Sequence, residues 1–278
     1  MYEVDFMFFL ILLCILVGVV LVASSVIVIS AIVHYLRRPI TKLYQDLTRR
    51  KDYCSLDRLP KRLISMLLIA EDDEFYRHNG INIRAIKEAI QLNCEEKKLI
   101  TSGSTITQQL VKNLYFTFHK RLWRKLQEAL LSQLAERKLS KNEILEMYLN
   151  IIYYGCGQYG ILSASDYYFG KKPEDLSVNQ MFMLIRILNA PTSNNPLTHP
   201  ENYRKSRDRR ANSWERCHIL TSEEADLIRS YDVSRLDRDL REPADEANIF
   251  VRPPALNERY GPRSGFGKEP FCIGDFIE

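Results

Sequence analysis

Between Phe6 and Val33 the sequence lacks every charged residue, and it lacks histidine as well. A bilayer core of about 30 Å needs about 20 apolar residues in a helix, so this segment can span a membrane with some tilt. It is too long for the apolar part of a cleaved signal peptide, and its small-residue stretch at 23–25 is followed by more apolar residues. The absence of charge therefore predicts one uncleaved anchor over residues 1–36.

The sequence also lacks any pair of cysteines in C-x-x-C spacing, so it gives no support for a zinc site. Of the six cysteines, Cys14 lies inside the apolar segment. The others are Cys54, Cys94, Cys156, Cys217 and Cys272. Five cysteines cannot all pair within one domain, so we expect unpaired thiols that are mostly structural.

The length of 278 residues allows one membrane segment and one globular domain. A hydrophobic fraction of 46% supports a sizeable core. The net charge of +4 is mild and suits an anionic membrane surface or a phosphate-bearing substrate. It does not indicate nucleic acid, and we expect no nucleic-acid partner.

No segment shows sustained strand alternation, so the fold is predicted to be mainly α. Helix starts are indicated by Pro60, by Asn82 and by three capping boxes, namely Ser140 with Glu143, Ser177 with Gln180, and Thr221 with Glu224. A further helix is indicated by leucines at 122, 126, 130 and 134. We expect a basic juxtamembrane segment over 37–60, a helical domain over 61–230, and a tail over 231–278 that is extended or partly disordered.

Three motifs follow one another in a specific order. They are EDDEFYRHNG at 71–80, GSTITQQLVKN at 103–113, and Arg124, Lys125 and Glu128 on the next predicted helix. This order resembles the peptidoglycan glycosyltransferases, lysozyme-like enzymes that polymerise cell-wall glycan from a lipid-linked disaccharide. The resemblance covers about residues 60–201 and implies a lysozyme-like helical domain behind one N-terminal transmembrane helix.

The chemistry of such a transfer fits the charges of the motifs. A base must take the proton of the attacking hydroxyl, whereas a diphosphate leaving group needs cations and amide donors rather than a strong acid. The chain offers carboxylates at 71–74 and a basic group composed of Lys112, Lys120, Arg121, Arg124 and Lys125.

The resemblance implies that Glu71 is the general base and that Glu128 is the second catalytic carboxylate, oriented towards the leaving diphosphate or its metal. The apolar run at 67–70 predicts a raised pKa for Glu71. Two alternatives remain at this point. The acids at 71–74 could form a solvated helix end, and Glu128 could form an ordinary surface salt bridge with Arg124 or Lys125.

The resemblance also implies a substrate-binding cleft, in which Lys112 lies near the donor diphosphate. The residues it assigns to the cleft are Asp72, Phe75, His78, Ser104, Thr105, Gln108, Gln109, Lys112, Asn113, Lys120, Arg124 and Lys125. In an alternative for the second motif, Ser104 caps a helix and both glutamines are exposed; a helix start also suits an anion or a sugar. The aromatics Tyr115, Phe116, Phe118 and Trp123 fit either the headgroup layer or the core.

One stretch departs from the family pattern. Where the family has a small apolar run ending in Leu-Pro, this chain has LIRIL at 184–188, which adds Arg186 and removes a proline. We expect a change in local packing there and an unchanged cleft. The segment 143–150 is implied to be architectural, packed behind the cleft.

The implied function is a membrane-anchored polymerase that transfers glycan from an undecaprenyl-diphosphate-linked disaccharide-peptide to the acceptor 4-hydroxyl, with inversion. No cofactor is required, although a divalent cation (Mg²⁺ or Mn²⁺) could assist the diphosphate without a dedicated protein cage. The implied partners are lipid II, the growing glycan strand, membrane lipid and cell-wall transpeptidases. Since no Ser-x-x-Lys motif occurs, we expect glycosyltransferase activity alone.

Two other functions stay open. A lysozyme-like glycan hydrolase could use Glu71 as an acid, but it has no need of the basic group. A non-catalytic cell-wall scaffold has no need of Glu71 and Glu128.

The expected location is the bacterial inner membrane, single-pass, with the domain extracytoplasmic, where the substrate is. The flanking charges disagree with this orientation. Glu3 and Asp5 precede the span, whereas six Lys and Arg residues follow it between 37 and 51. The positive-inside rule would place the domain in the cytoplasm.

Overall fold

The computed structural model describes residues 2–95, 103–116, 122–233 and 236. Within this part of the chain the structure is helical and contains no β-strand, only one isolated bridge between Tyr153 and Tyr159. The helices are α1 (Tyr2–Arg37), α2 (Ile40–Thr48), α3 (Lys61–Glu71), α4 (Ile83–Glu95), α5 (Ile106–Tyr115), α6 (Leu122–Lys138), α7 (Lys141–Ile151), α8 (Ile161–Phe169), α9 (Val178–Asn189), α10 (Pro200–Arg216) and α11 (Ser222–Ser230). The predicted mainly α fold is confirmed.

Helix α1 has 36 residues and is therefore about 54 Å long. It is long and apolar enough to cross a membrane. Its last turns pack against the globular domain, where Ala31 is buried and the rings of His34 and Phe116 lie 5.5 Å apart. Just beyond it, the Tyr115 hydroxyl donates to the Arg38 carbonyl at 2.8 Å. The apolar helix thus continues directly into the domain.

The segment 37–60 contributes to the core of the domain through Ile40, Leu47, Cys54 and Leu59. The carboxylate of Glu146 on α7 accepts hydrogen bonds from the hydroxyls of Tyr44 and Tyr53, at 2.8 and 2.7 Å. These long-range bonds fasten α2 and the following turn to α7.

Helices α7 and α9 lie at the centre of the domain. Every residue from 180 to 187 on α9 is buried, as are seven residues of α7. A helix that is apolar on all sides has to be surrounded by other elements. Here α3, α10 and α11 pack around α9, and α5 packs on α7. The ends of α3 and α9 thereby come close to the middle of α5.

The predicted helix starts are confirmed. Lys61, the first residue of α3, follows Pro60, and Asn82 Oδ1 accepts from the Ala85 amide at 2.9 Å. The capping boxes at Ser140, Ser177 and Thr221 are all present. The leucine stripe of α6 is helical, but Leu126 and Leu130 are 51% and 40% exposed. The buried face of α6 instead carries Glu128, Leu131, Ser132 and Ala135.

The five described cysteines are free, as predicted, and Cys272 lies outside the described residues. Apart from residues 231–233 and 236, the predicted tail also lies outside them.

Candidate active site

Glu71 is the last residue of α3, and the helix ends there because Asp72 leaves the helical conformation, with φ −166° and ψ 79°. The Glu71 side chain is half-buried, and both of its oxygens accept a hydrogen bond from a side-chain amide. Gln109 Nε2 donates to Oε2 at 2.9 Å, and Asn189 Nδ2 donates to Oε1. The carboxylate is therefore held between α5 and the end of α9.

Burial raises the pKa of Glu71, as the apolar run before it predicted. The hydrogen bonds from Gln109 and Asn189 lower this pKa, and so do the charges of Arg186 and Arg210. A base with a raised pKa is better matched to proton transfer near neutral pH than an ordinary carboxylate.

Asp72 and His78 connect the first motif to the second. His78 Nε2 lies 2.9 and 3.0 Å from the two Asp72 oxygens, and the Ile106 amide at the start of α5 donates to Asp72 Oδ2 at 2.9 Å. The Gly80 amide donates to His78 Nδ1 at 3.1 Å, which assigns the imidazole proton to Nε2. The polar atoms of both residues thus bond to the protein. Phe75, the third cleft residue expected in this motif, is buried beneath Lys141, whose Nζ lies 4.4 Å from the ring centroid.

The solvated helix end, considered for the acids at 71–74, is wrong for Glu71 and Asp72. Asp72 is buried, and Glu71 is held by two amides. Of the four acids only Asp73 is exposed. Arg84 forms ion pairs with Asp73 at 3.3 Å and with Glu74 at 3.1 Å. The acidic motif therefore divides into inward and outward carboxylates.

In the second motif the helix cap is Thr105, not Ser104. Thr105 Oγ1 accepts from the Gln108 amide at 3.1 Å and donates to the Gly80 carbonyl at 2.8 Å. Gln108 Oε1 accepts from the Thr105 amide at 3.2 Å, and Gln108 is buried. The alternative with a Ser104 cap and both glutamines exposed is wrong. The Thr105 hydroxyl caps α5, Gln108 is buried and Gln109 is half-buried.

Gly80 is required where the two motifs meet. Its φ of +85° is strained for other residues, and a Cβ there would lie 2.9 Å from the Ser132 backbone. The turn that carries His78 can therefore approach α6 closely.

Gln109, Lys112 and Asn113 are spaced by three and four residues, so they share one face of α5. Gln109 Oε1 accepts from the Tyr148 hydroxyl at 3.2 Å, while its amide nitrogen donates to Glu71. Asn113 Nδ2 is buried and has no hydrogen-bond partner among the described residues. The second motif thus places three polar side chains on one face of α5, and the first of them, Gln109, bonds Glu71.

Glu128 is only 1% exposed, so the surface salt bridge considered for it is wrong. Arg124 Nε lies 3.3 Å from Oε1 and Lys125 Nζ lies 3.2 Å from Oε2. Lys125 Nζ also donates to Ser104 Oγ at 2.8 Å, next to the start of α5. The third motif therefore contacts the second through Lys125 and Ser104.

Of the flanking aromatics, Tyr115 and Phe116 are buried in the core, whereas Trp123 is exposed. Phe118, Lys120 and Arg121 lie outside the described residues.

Residues near Glu71 that the sequence did not assign to the site are Asn189, Arg186 and Arg210. Arg186 is buried; its Nη1 donates to Asn189 Oδ1 and its Nη2 to Ser206 Oγ, both at 2.5 Å. Burial, with the nearby charge of Arg210, lowers the pKa of Arg186 to about 10. The only feature of the sequence that pointed to these residues was the departure from the family pattern at 184–188. The charge added there, Arg186, is buried and hydrogen-bonded.

The site does not fit a resident metal ion. Among the described residues no group of three or more His, Cys, Asp or Glu side chains could hold one. Glu128 offers a buried oxygen without a hydrogen bond, but Arg124 and Lys125 flank it, and their positive charges oppose a divalent cation.

Comparison with known proteins gives a family match. The family model described as transglycosylase matches residues 37–215. Penicillin-binding protein 1F of Bacillus subtilis is 38% identical over 58% of this chain and 22% of that protein. Penicillin-binding protein 1A of Aquifex aeolicus is 41% identical over 55% of this chain and 21% of that protein. A putative transglycosylase of Cupriavidus necator is 38% identical over 55% of this chain and 66% of that protein. The matched part of the chain spans about a fifth of the length of the two penicillin-binding proteins.

Proposed function

Because the chain belongs to the transglycosylase family, we propose that it is a membrane-anchored peptidoglycan glycosyltransferase. Its substrate would be an undecaprenyl-diphosphate-linked disaccharide-peptide, and its product a longer glycan strand and free lipid diphosphate. The enzyme class follows from the family, whereas the substrate and the mechanism are our inference from the site.

The observation that carries the proposal is the separation of charges along α5. At its middle, Gln109 bonds Glu71, a carboxylate whose pKa is raised by burial. Beside its start, Ser104 bonds Lys125, which belongs to the cationic group around Glu128. A transfer from a diphosphate requires a base and a separate cationic site, and one helix supports both here.

In the proposed reaction Glu71 takes the proton from the acceptor 4-hydroxyl while that oxygen attacks the donor anomeric carbon. The bond between this carbon and the diphosphate oxygen breaks, and its electron pair leaves with the diphosphate. Attack opposite the leaving group inverts the anomeric centre. Positioned general base catalysis typically contributes about 10²–10⁴-fold.

The leaving diphosphate would be stabilised by Lys112, Arg124 and Lys125. Charge-assisted hydrogen bonds to phosphate are about twice as strong as neutral ones. Glu128 would hold Arg124 and Lys125 in place, since it lies within 3.3 Å of both and is buried.

A glycan hydrolase remains the second candidate. It could use Glu71, whose raised pKa also suits an acid. The cationic group around Glu128 favours transfer, because a neutral glycosidic bond releases no anionic leaving group that needs it.

For location, we propose a single-pass protein of the inner membrane with the domain outside the cytoplasm. The apolar helix α1 supports the anchor, and the expected site of the lipid-linked substrate supports the orientation. Membrane lipid, the growing glycan strand and cell-wall transpeptidases are the proposed partners.

The test is polymerisation by the full chain in detergent, with the lipid-linked disaccharide-peptide as substrate. Wild type and Glu88→Gln, a control at an exposed acid on α4, should form polymer, whereas Glu71→Gln should form none. Absence of polymer from wild type in every detergent and with every divalent cation would overturn the proposal. Release of soluble fragments from finished cell wall, without lipid substrate, would favour the hydrolase.

A further inference from the structure

The two amides that hold Glu71 differ in how firmly their orientation is fixed. Gln109 is oriented by the Tyr148 hydroxyl, which donates to its oxygen at 3.2 Å. A hydroxyl can also accept a hydrogen bond, so Gln109 could turn over and keep a partner. The hydrogen bond from Gln109 to Glu71 is therefore adjustable.

Asn189 has no such freedom. Its oxygen accepts from Arg186 Nη1 at 2.5 Å, and a guanidinium is a donor only and stays charged. The Asn189 oxygen must therefore face Arg186, and its NH₂ group must face Glu71 Oε1. An NH₂ group at this position requires an acceptor, which an ionised carboxylate always provides.

Arg186 is itself fixed by the fold. It lies on the buried helix α9, and Nη2 donates to Ser206 Oγ on α10 at 2.5 Å. Its backbone carbonyl accepts from Asn194 Nδ2 at 3.3 Å. Because the Arg186 guanidinium is fixed between α9 and α10, it fixes the orientation of the Asn189 amide. The Asn189 amide in turn restricts the position of the Glu71 carboxylate.

Charged and titratable groups face Glu71 from several elements. Arg186 on α9 and Arg210 on α10 favour its ionised form. Tyr148 on α7 and Tyr154, just after α7, interact with it as neutral phenols, since burial raises the pKa of both hydroxyls. Asp72, the next residue, is occupied by His78 and the Ile106 amide. Of the two cations, Arg186 alone is linked to Glu71 through a bridging side chain in the described contacts.

We propose that Arg186, acting through Asn189, is a positioning residue that keeps Glu71 ionised and correctly oriented to accept the proton of the attacking hydroxyl. This inference rests on the proposed function. It assigns a role in the reaction to a residue at which the chain departs from the family pattern.

The test compares three variants of the full chain in detergent. Arg186→Met removes the charge and the donor while keeping a long side chain. Asn189→Asp keeps the shape but places a second carboxylate beside Glu71. Arg207→Met is the matched control, because Arg207 is also buried but bonds the Tyr231 carbonyl and Asp208 instead.

The first readout is the pH dependence of kcat/KM for polymerisation. An opposite charge nearby lowers a carboxyl pKa by about 1–3 units. Arg186→Met should therefore move the acid limb of the profile upward by at least about one pH unit, which is tenfold on that limb, with recovery at higher pH. Asn189→Asp should move the limb in the same direction, and Arg207→Met should leave it in place.

The second readout needs no activity. The carboxyl titration of Glu71 is followed by NMR in protein carrying ¹³C-labelled glutamate, with Glu71→Gln identifying the signal. The titration should shift upward in Arg186→Met and Asn189→Asp. If wild type makes no polymer, the proposed function fails while this titration still decides the inference. If neither variant moves the limb or the titration, and Arg186→Met loses only stability, as Arg207→Met does, the positioning role is overturned.

Discussion

Arg124 Nε lies 3.3 Å from Glu128 Oε1, yet neither buried atom has a hydrogen-bond partner among the described residues. A buried polar atom without a partner costs about 1–3 kcal/mol, so the two side chains are held together by charge rather than by a well-formed hydrogen bond. The Glu128 side chain is 1% exposed and the Arg124 side chain is 21% exposed. Of the pair, Arg124 is therefore the member that a donor diphosphate could reach.

Glu128→Gln should abolish most of the polymerisation activity, because Arg124 and Lys125 lose the charge that holds them. We expect turnover to fall at least about tenfold, the equivalent of about 1.4 kcal/mol in barrier. The measurement is the initial rate with saturating lipid-linked substrate. Glu136→Gln is the matched control, since the Glu136 carboxylate is only 5% exposed and pairs at 2.7 Å with the half-buried Lys141, away from Arg124. It should lose stability and keep its turnover; equal losses of turnover in both variants would remove any special role of Glu128.

Lys112→Ala and Arg124→Ala should each weaken use of the donor. A hydrogen bond to a charged group contributes about 1.5–3 kcal/mol, so the KM for the donor should rise roughly 10- to 100-fold. Titration of the lipid-linked donor at fixed acceptor measures this change. Arg137→Ala, at an exposed position near the end of α6, should leave KM unchanged. Normal donor use by both variants would mean that the two cations do not bind the diphosphate.

Asp72→Asn should lower stability rather than chemistry. The carboxylate accepts from His78 Nε2 and from the Ile106 amide, and an asparagine would turn its NH₂ group towards one of these donors. We expect a loss of about 1–3 kcal/mol, which lowers Tm by about 2–4 °C per kcal/mol in a domain of this size. Thermal unfolding in detergent measures it. Asp73→Asn, at an exposed position, should leave Tm unchanged, and a similar fall in both variants would contradict the structural role of Asp72.

Glu71→Gln should remove activity and change stability in a way that depends on pH. Burial raises the pKa of Glu71 in the folded chain, so the protonated form is favoured by folding. This contribution is fully present below the unfolded pKa of about 4.3 and is lost as pH rises through the higher folded pKa. The Tm difference between Glu71→Gln and wild type should therefore increase from acid to neutral pH. If the Tm difference between the two proteins does not change with pH, ionisation of Glu71 does not destabilise the folded state.

The orientation across the membrane can be tested directly. Juxtamembrane Lys and Arg residues favour the cytoplasmic side by about 1 kcal/mol each near an anionic surface, although large domains translocate despite local charge. Alkaline phosphatase fused after residue 278 should nevertheless be active, and protease added to spheroplasts should cut the domain. An inactive fusion with full protease protection would place the site on the opposite face from the proposed substrate.

The helix starts could be predicted because their signals are local. Asn82 and the box of Thr221 with Glu224 each bond backbone groups three residues away, so sequence spacing is sufficient. The inward face of α6 could not be predicted from its leucines. That face contains Glu128 and Ser132, polar residues that a search for apolar periodicity passes over.

Glu71 and Glu128 both lie in motifs that the sequence shows, but only part of the surroundings of Glu71 could be predicted. Gln109 belongs to a motif, whereas Asn189 reaches Glu71 across 118 positions of sequence without a periodic signal. Arg186 was visible only as an unexpected charge in an apolar run. Side-chain hydrogen bonds between distant helices depend on tertiary packing, which no local pattern encodes.

The junction of α1 with the domain has a practical consequence for anyone who shortens the chain to obtain soluble protein. A cut at residue 37 would remove Ala31 and His34, and with them the cover over Phe116. The newly bared apolar surface would favour self-association, so such a fragment should elute as aggregates. A shortened chain that begins before Ile27 would keep this cover and should be the better starting point for crystallisation.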